Sequence, residues 1–140
     1  MRKSTNFIVI HCAATSPSMD IGAKEIDRWH RQRGWLGIGY HFVIRRNGTV
    51  EEGRHIDKAG AHATNYNNKS VGVCLVGGVK EDKKTPEANF TNEQYKSLVA
   101  LLKQLKEKYP SAKIIGHNEI AAKACPSFNV QSWLKTVNLN

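Results

Sequence analysis

Three short runs of apolar residues constrain this chain more than anything else in it. They are Phe7-Ile8-Val9-Ile10, Val71-Gly72-Val73-Cys74-Leu75-Val76 and Ala112-Lys113-Ile114-Ile115. Runs of this length, bounded by polar or glycine-containing segments, read as buried strands, and buried strands need helices to cover them. Helical patterning lies between the runs. Thr91-Asn92-Glu93-Gln94 matches a capping box, Tyr95, Leu98, Val99, Leu102 and Leu105 recur at helical spacing, and Pro110 ends the segment. Asp20 reads as the N-cap of an earlier helix running to about Arg33 and stopped by Gly34, with Ile26 and Trp29 facing inward. A short third helix, about Val130 to Val137, carries Trp133 and Leu134. His41–Arg46 and Thr49–Glu52 flank Asn47-Gly48, the pair a type I′ turn demands, so this stretch reads as a hairpin. The segments 55–69 and 80–90 read as loops. The alternation predicts an α/β fold, a mixed sheet flanked by helices.

A chain of 140 residues fits a single domain spanning residues 1–140 and can bury its core without disulfides. The three cysteines are odd in number and widely spaced, which argues against a disulfide framework. Cys12 and Cys74 lie inside apolar runs and are expected to be inert core residues, whereas Cys125 has small and polar neighbours. No apolar run is long enough to span a bilayer, so no membrane insertion is expected. The segment before the first strand lacks the features of a signal peptide, which points to cytoplasmic accumulation. A net charge of +9 and a pI near 9.6 favour a polyanionic partner. Lys103, Lys106 and Lys108 look like a solvated helix face. The aromatics do not interleave with a basic stripe, so direct nucleic-acid binding is not expected, and a monomer is the default.

The chemistry concentrates in His117-Asn118-Glu119-Ile120-Ala121-Ala122-Lys123-Ala124-Cys125-Pro126, with a second imidazole, His11, at the end of the first apolar run. A single histidine after a strand is most often structural, and a single cysteine is most often buried and inert. Together they differ: His11 and His117 both follow strand-like runs, and Cys125 has enough chain to loop back to them. Two imidazoles and a thiolate hold zinc with a fourth position open for water or substrate, the pattern of a catalytic site. His41 follows Tyr40 on a strand, points to the opposite face and is not counted as a ligand. His30 and His55 are expected to be exposed. Asn65 and Asn67 can bind peptide or sugar amides, although asparagine-rich loops are often only turns.

Four segments carry a resemblance: Ile10-His11-Cys12-Ala13-Ala14-Thr15, Gly37-Ile38-Gly39-Tyr40-His41-Phe42, Ser70 through Gly78, and Lys123-Ala124-Cys125-Pro126-Ser127-Phe128. Across nearly its whole length the chain resembles the zinc-dependent type 2 N-acetylmuramoyl-L-alanine amidases. Peptidoglycan-recognition proteins share that fold, and the nearest likeness is to the short amidase lysozymes of T-odd coliphages. The resemblance implies one Zn2+ per chain held by His11, His117 and Cys125, with Tyr40 and Lys123 at the other catalytic positions. It implies peptidoglycan as substrate and a phage or prophage endolysin as the biological setting. It places His62 at a position lining the substrate groove. A muropeptide-recycling branch of the family has a third carboxylate ligand and a Glu where Tyr40 stands, and binding-only members lack the ligand cysteine; Tyr40 and Cys125 place this chain with the enzymes. The alternatives are a non-catalytic peptidoglycan-binding module and a regulator of the phage RNA polymerase, since some relatives also bind that polymerase.

Overall fold

The computed structural model describes residues 2–139. The elements run β1 (Phe7–Cys12), α1 (Ala23–Gln32), β2 (Phe42–Ile44), β3 (Val50–Glu52), β4 (Ser70–Leu75), α2 (Asn92–Lys108), β5 (Lys113–Gly116) and α3 (Val130–Leu134). Asn67–Lys69 and His117–Glu119 form single 3-10 turns. The strands make one five-stranded sheet in the order β3-β2-β4-β1-β5. The three apolar runs are its parallel neighbours, β4-β1-β5, and β2 is parallel to β4, so only β3 runs antiparallel, against β2.

Side-chain alternation along the strands divides the core in two. On one face Ile8, Ile10, Val71, Val73 and Leu75 pack against Leu98, Leu101, Leu102 and Leu105 of α2 and Val130 of α3. On the other, Val43, Cys74 and Val76 meet Ile26 and the partly buried Trp29 of α1. Along α2, Leu101 is buried, whereas Val99 is only partly covered.

Two local expectations are corrected, the first by a tertiary partner. Helix α1 begins at Ala23, not just after Asp20. The first free amide, Ala23 N–H, donates to the Glu51 carboxylate of β3 at 2.9 Å, while Asp20 pairs with Arg45 at 3.4 Å. The hairpin forms, but its turn is not type I′, which needs positive φ at both central residues. Only Gly48 has positive φ (+90°); Arg45 N–H donates to Thr49 O, Gly48 N–H donates to Arg45 O, and Asn47 Oδ1 accepts from Thr49 N–H. The result is a three-residue connection with glycine at the left-handed position.

The capping box at Thr91 and Gln94 forms as read. Gln94 also ties helix to sheet. It is fully buried, and its amide nitrogen donates to Val76 O at 2.8 Å and Ile44 O at 3.1 Å. Its amide oxygen accepts from Thr91 N–H at 2.9 Å. Gln94→Leu removes one donor each from Ile44 O and Val76 O, which keep Val76 N–H and Arg46 Nη1, and the acceptor of Thr91 N–H; each lost bond costs about 0.5–1.5 kcal/mol. The expected loss is about 3 kcal/mol in urea unfolding; a change below 1 kcal/mol would refute this role.

Candidate active site

The site grows from the centre of the sheet. His11 occupies the fifth position of β1, where register sets it beside Cys74 of β4. Alternation turns it away from Ile10 and Cys12, and the side chain is 1% exposed. The adjacent strand β5 ends at Gly116, and His117 follows it directly. Glu119 reaches back to accept from Gly116 N–H at 2.6 Å, which fixes the turn that presents His117. The chain then returns to Cys125, whose Sγ accepts from Cys12 N–H at 2.9 Å. One ligand atom each from His11, His117 and Cys125 lies within 4.8 Å of the other two.

The electrostatics favour ligand chemistry. Burial, then the imidazoles of His62 and His117, hold the His11 pKa well below its ordinary value. Burial, then the Lys123 ammonium, lowers that of His117. Both rings are therefore neutral at pH 7, the form that binds metal. Interaction between the neighbouring Cys12 and Cys125 thiols makes the pair lose its first proton more easily than a free thiol and its second with more difficulty. Cys12 is thus no inert core residue: its amide and its thiol both meet Cys125. Cys74 does behave as expected, fully buried with its pKa pushed well up by desolvation. Two imidazoles and a thiol converging on one point suit zinc by donor type and number.

Tyr40 stands beside this cluster, its ring centroid 5.0 Å from that of His11. Burial, then the neighbouring cysteines, raises its pKa well above 10, so the phenol keeps its proton and serves as a donor rather than a base. Lys123 is exposed and, with His117, lines a groove of about 520 Å³. His62, Asn65 and Asn67 line it too, as do Arg33 and Trp35, which the sequence had not singled out.

The remaining residues divide clearly. His62 is 9% exposed, and both of its ring nitrogens contact protein groups. Burial, then His41, lowers its pKa to about 3. Asn65 is exposed with φ +71°, whereas Asn67 Oδ1 accepts from the His62 and Ala63 amides at 2.9 Å and so braces the loop. His41 stays outside the ligand cluster; Nδ1 accepts from Gly72 N–H at 3.0 Å and Nε2 donates to Lys58 O at 2.8 Å. His55 is exposed, as expected, but His30 is buried. Its Nδ1 accepts from Gly39 N–H at 2.9 Å, and Trp35 and Tyr40 flank its ring. It thereby braces the segment that carries Tyr40.

The family model described as N-acetylmuramoyl-L-alanine amidase matches residues 1–128. The chain belongs to the N-acetylmuramoyl-L-alanine amidase family. Among its relatives, the endolysin of Enterobacteria phage K11 is 51% identical over 138 residues, covering 99% of this chain and 91% of that one. The endolysin of Escherichia phage T7 is 52% identical over 132 residues, covering 94% and 87%. Among solved structures, the N-acetylmuramoyl-L-alanine amidase LysC from Clostridium intestinale superposes with a TM-score of 0.80 at 32% identity, covering 94% of this chain and 86% of that one. The sheet and helices described above are therefore the amidase fold, and the His11–His117–Cys125 cluster lies at the C-terminal ends of β1 and β5, two of its adjacent parallel strands.

Proposed function

We propose that this amidase hydrolyses the amide bond between N-acetylmuramic acid and L-alanine in peptidoglycan, with residues 1–140 acting as one catalytic domain and one zinc held by His11, His117 and Cys125. The observation that carries the reading is the convergence of those three ligand atoms within 4.8 Å beside the groove lined by His117 and Lys123. Zinc, when bound, supplies Lewis-acid chemistry and makes water nucleophilic near neutral pH. Negative charge develops on the substrate carbonyl oxygen as water adds to the carbonyl carbon. The Lys123 ammonium and the Tyr40 hydroxyl are the groups that stabilise that charge, each as a donor. The C–N bond then breaks, and alanine leaves with a free α-amino group. Arg33 and Lys123 give the groove a positive lining that suits the carboxylates of a stem peptide.

The endolysin relatives at 51% and 52% identity support lysis of the host wall as the setting, with the protein accumulating in the cytoplasm before release. Among the described residues no helix is long and apolar enough to cross a membrane.

The test uses purified peptidoglycan and zinc-loaded protein. Release of N-terminal alanine without new reducing sugar ends is expected. New reducing ends would mean glycosidic cleavage, and binding without either product would favour a non-catalytic module.

A further inference from the structure

Beneath His11 runs a chain of hydrogen bonds whose direction can be worked out from its far end. The Tyr66 carbonyl can only accept. The Ser70 hydroxyl lies 2.8 Å from it and donates its single proton there. Ser70 Oγ also lies 3.2 Å from His62 Nε2, and with its proton already committed it accepts, so His62 carries its proton on Nε2. A neutral imidazole has one ring proton, which leaves His62 Nδ1 bare. That atom is 2.8 Å from His11 Nε2 and accepts from it. His11 is therefore protonated on Nε2, and its Nδ1 lone pair is the one free to bind metal.

The relay is rigidly built. A Cβ on Gly72 would stand 2.6 Å from His62 Cγ, so the bare backbone of β4 presses directly against the ring. Asn67 Oδ1 holds the His62 amide at 2.9 Å. Both ring nitrogens of His62 are committed inside the protein, which leaves neither for substrate.

We propose that His62 and Ser70 are positioning residues that fix His11 in the Nε2–H tautomer and so present its Nδ1 to the metal. The inference rests on the zinc reading above and goes beyond it, because it assigns His62 to the support of a ligand rather than to the substrate groove. Partners of this kind orient a ligating imidazole and raise its basicity, and their loss typically weakens metal binding by about 10–100-fold.

Two measurements test it. The first is long-range 15N–1H NMR of the imidazoles in the zinc-free full chain at pH 7.5. Protons on Nε2 of both His11 and His62 are expected; a proton on Nδ1 of either overturns the proposal whatever the variants do. The second is zinc affinity, by competition with a chromogenic chelator, for the wild type, His62→Phe and His62→Gln, with thermal unfolding of each. His62→Phe is expected to weaken binding about 10–100-fold. His62→Gln, whose amide oxygen can still accept from His11 Nε2–H, should recover most of that loss, which a merely space-filling role would not predict. If His62→Phe does not fold, Ser70→Ala and the NMR measurement decide. A folded His62→Phe that binds zinc as tightly as the wild type overturns the role of His62 alone. A wild-type chain that binds no zinc overturns the metal reading itself.

Discussion

Cys125→Ala is expected to lose wall-degrading activity by at least about a thousandfold, and to lose most of its bound zinc, because three protein ligands become two. The thiol holds its place through the Cys12 amide, 2.9 Å away, an interaction that stabilises a thiolate and has no use for a methyl group. The fold should survive. Cys125 is only partly buried and contributes at the margin of the core, so thermal unfolding of the zinc-free forms should differ by a few degrees at most. A chelator should reproduce the activity loss in the wild type, and added zinc should reverse it. Full activity in zinc-depleted wild type, or in folded Cys125→Ala, would remove the metal from the reaction.

Lys123→Ala is expected to lower kcat by about 10²-fold with a much smaller change in KM, since a group that meets charge only as it develops acts on the transition state. The ammonium sits on the groove wall with His117 and is one cause of the lowered His117 pKa. Removing it relieves that effect, so the acid limb of the activity profile should move to higher pH while kcat falls. A variant with raised KM and unchanged kcat would make Lys123 a substrate-binding residue instead.

What could be read from sequence was whatever local patterning decides. The apolar runs gave β1, β4 and β5 because strands covered on both faces carry a near-continuous apolar signature. The capping box at Thr91 and Gln94 is a contact between residues three apart, and it stands as read. The convergence of His11, His117 and Cys125 was legible because each histidine comes at or just past the end of a strand-like apolar run, and the short segment after His117 lets Cys125 loop back to them. Apart from the turn type at Asn47-Gly48, which is set within residues 45–49, the misses depend on contacts that local patterning does not show. Asp20 was a plausible cap, but Glu51 reaches across from β3 to supply the acceptor. His30 has the neighbours of a surface residue on its own helix, yet the Gly39 amide and the Trp35 ring bury it. Cys12 looked inert because nothing local shows that Cys125 arrives beside it. No sequence spacing encodes the contact between His11 and His62, which only the packing of the 55–69 segment against β1 and β4 creates.

The placement of His11 near one end of the chain and Cys125 near the other bears on when metal can be acquired. An unfolded chain offers no compact chelating motif of the kind that lets a zinc finger capture its ion while still disordered. The donors meet only once β1 and β5 are paired and the chain after His117 has returned to Cys12, so capture of the proposed ion would follow folding instead of driving it. Because the denatured chain competes weakly for the ion, zinc should raise the unfolding temperature by close to the full mass-action amount. A pool made faster than zinc is supplied would then wait as folded apoprotein, competent to be switched on by the ion alone.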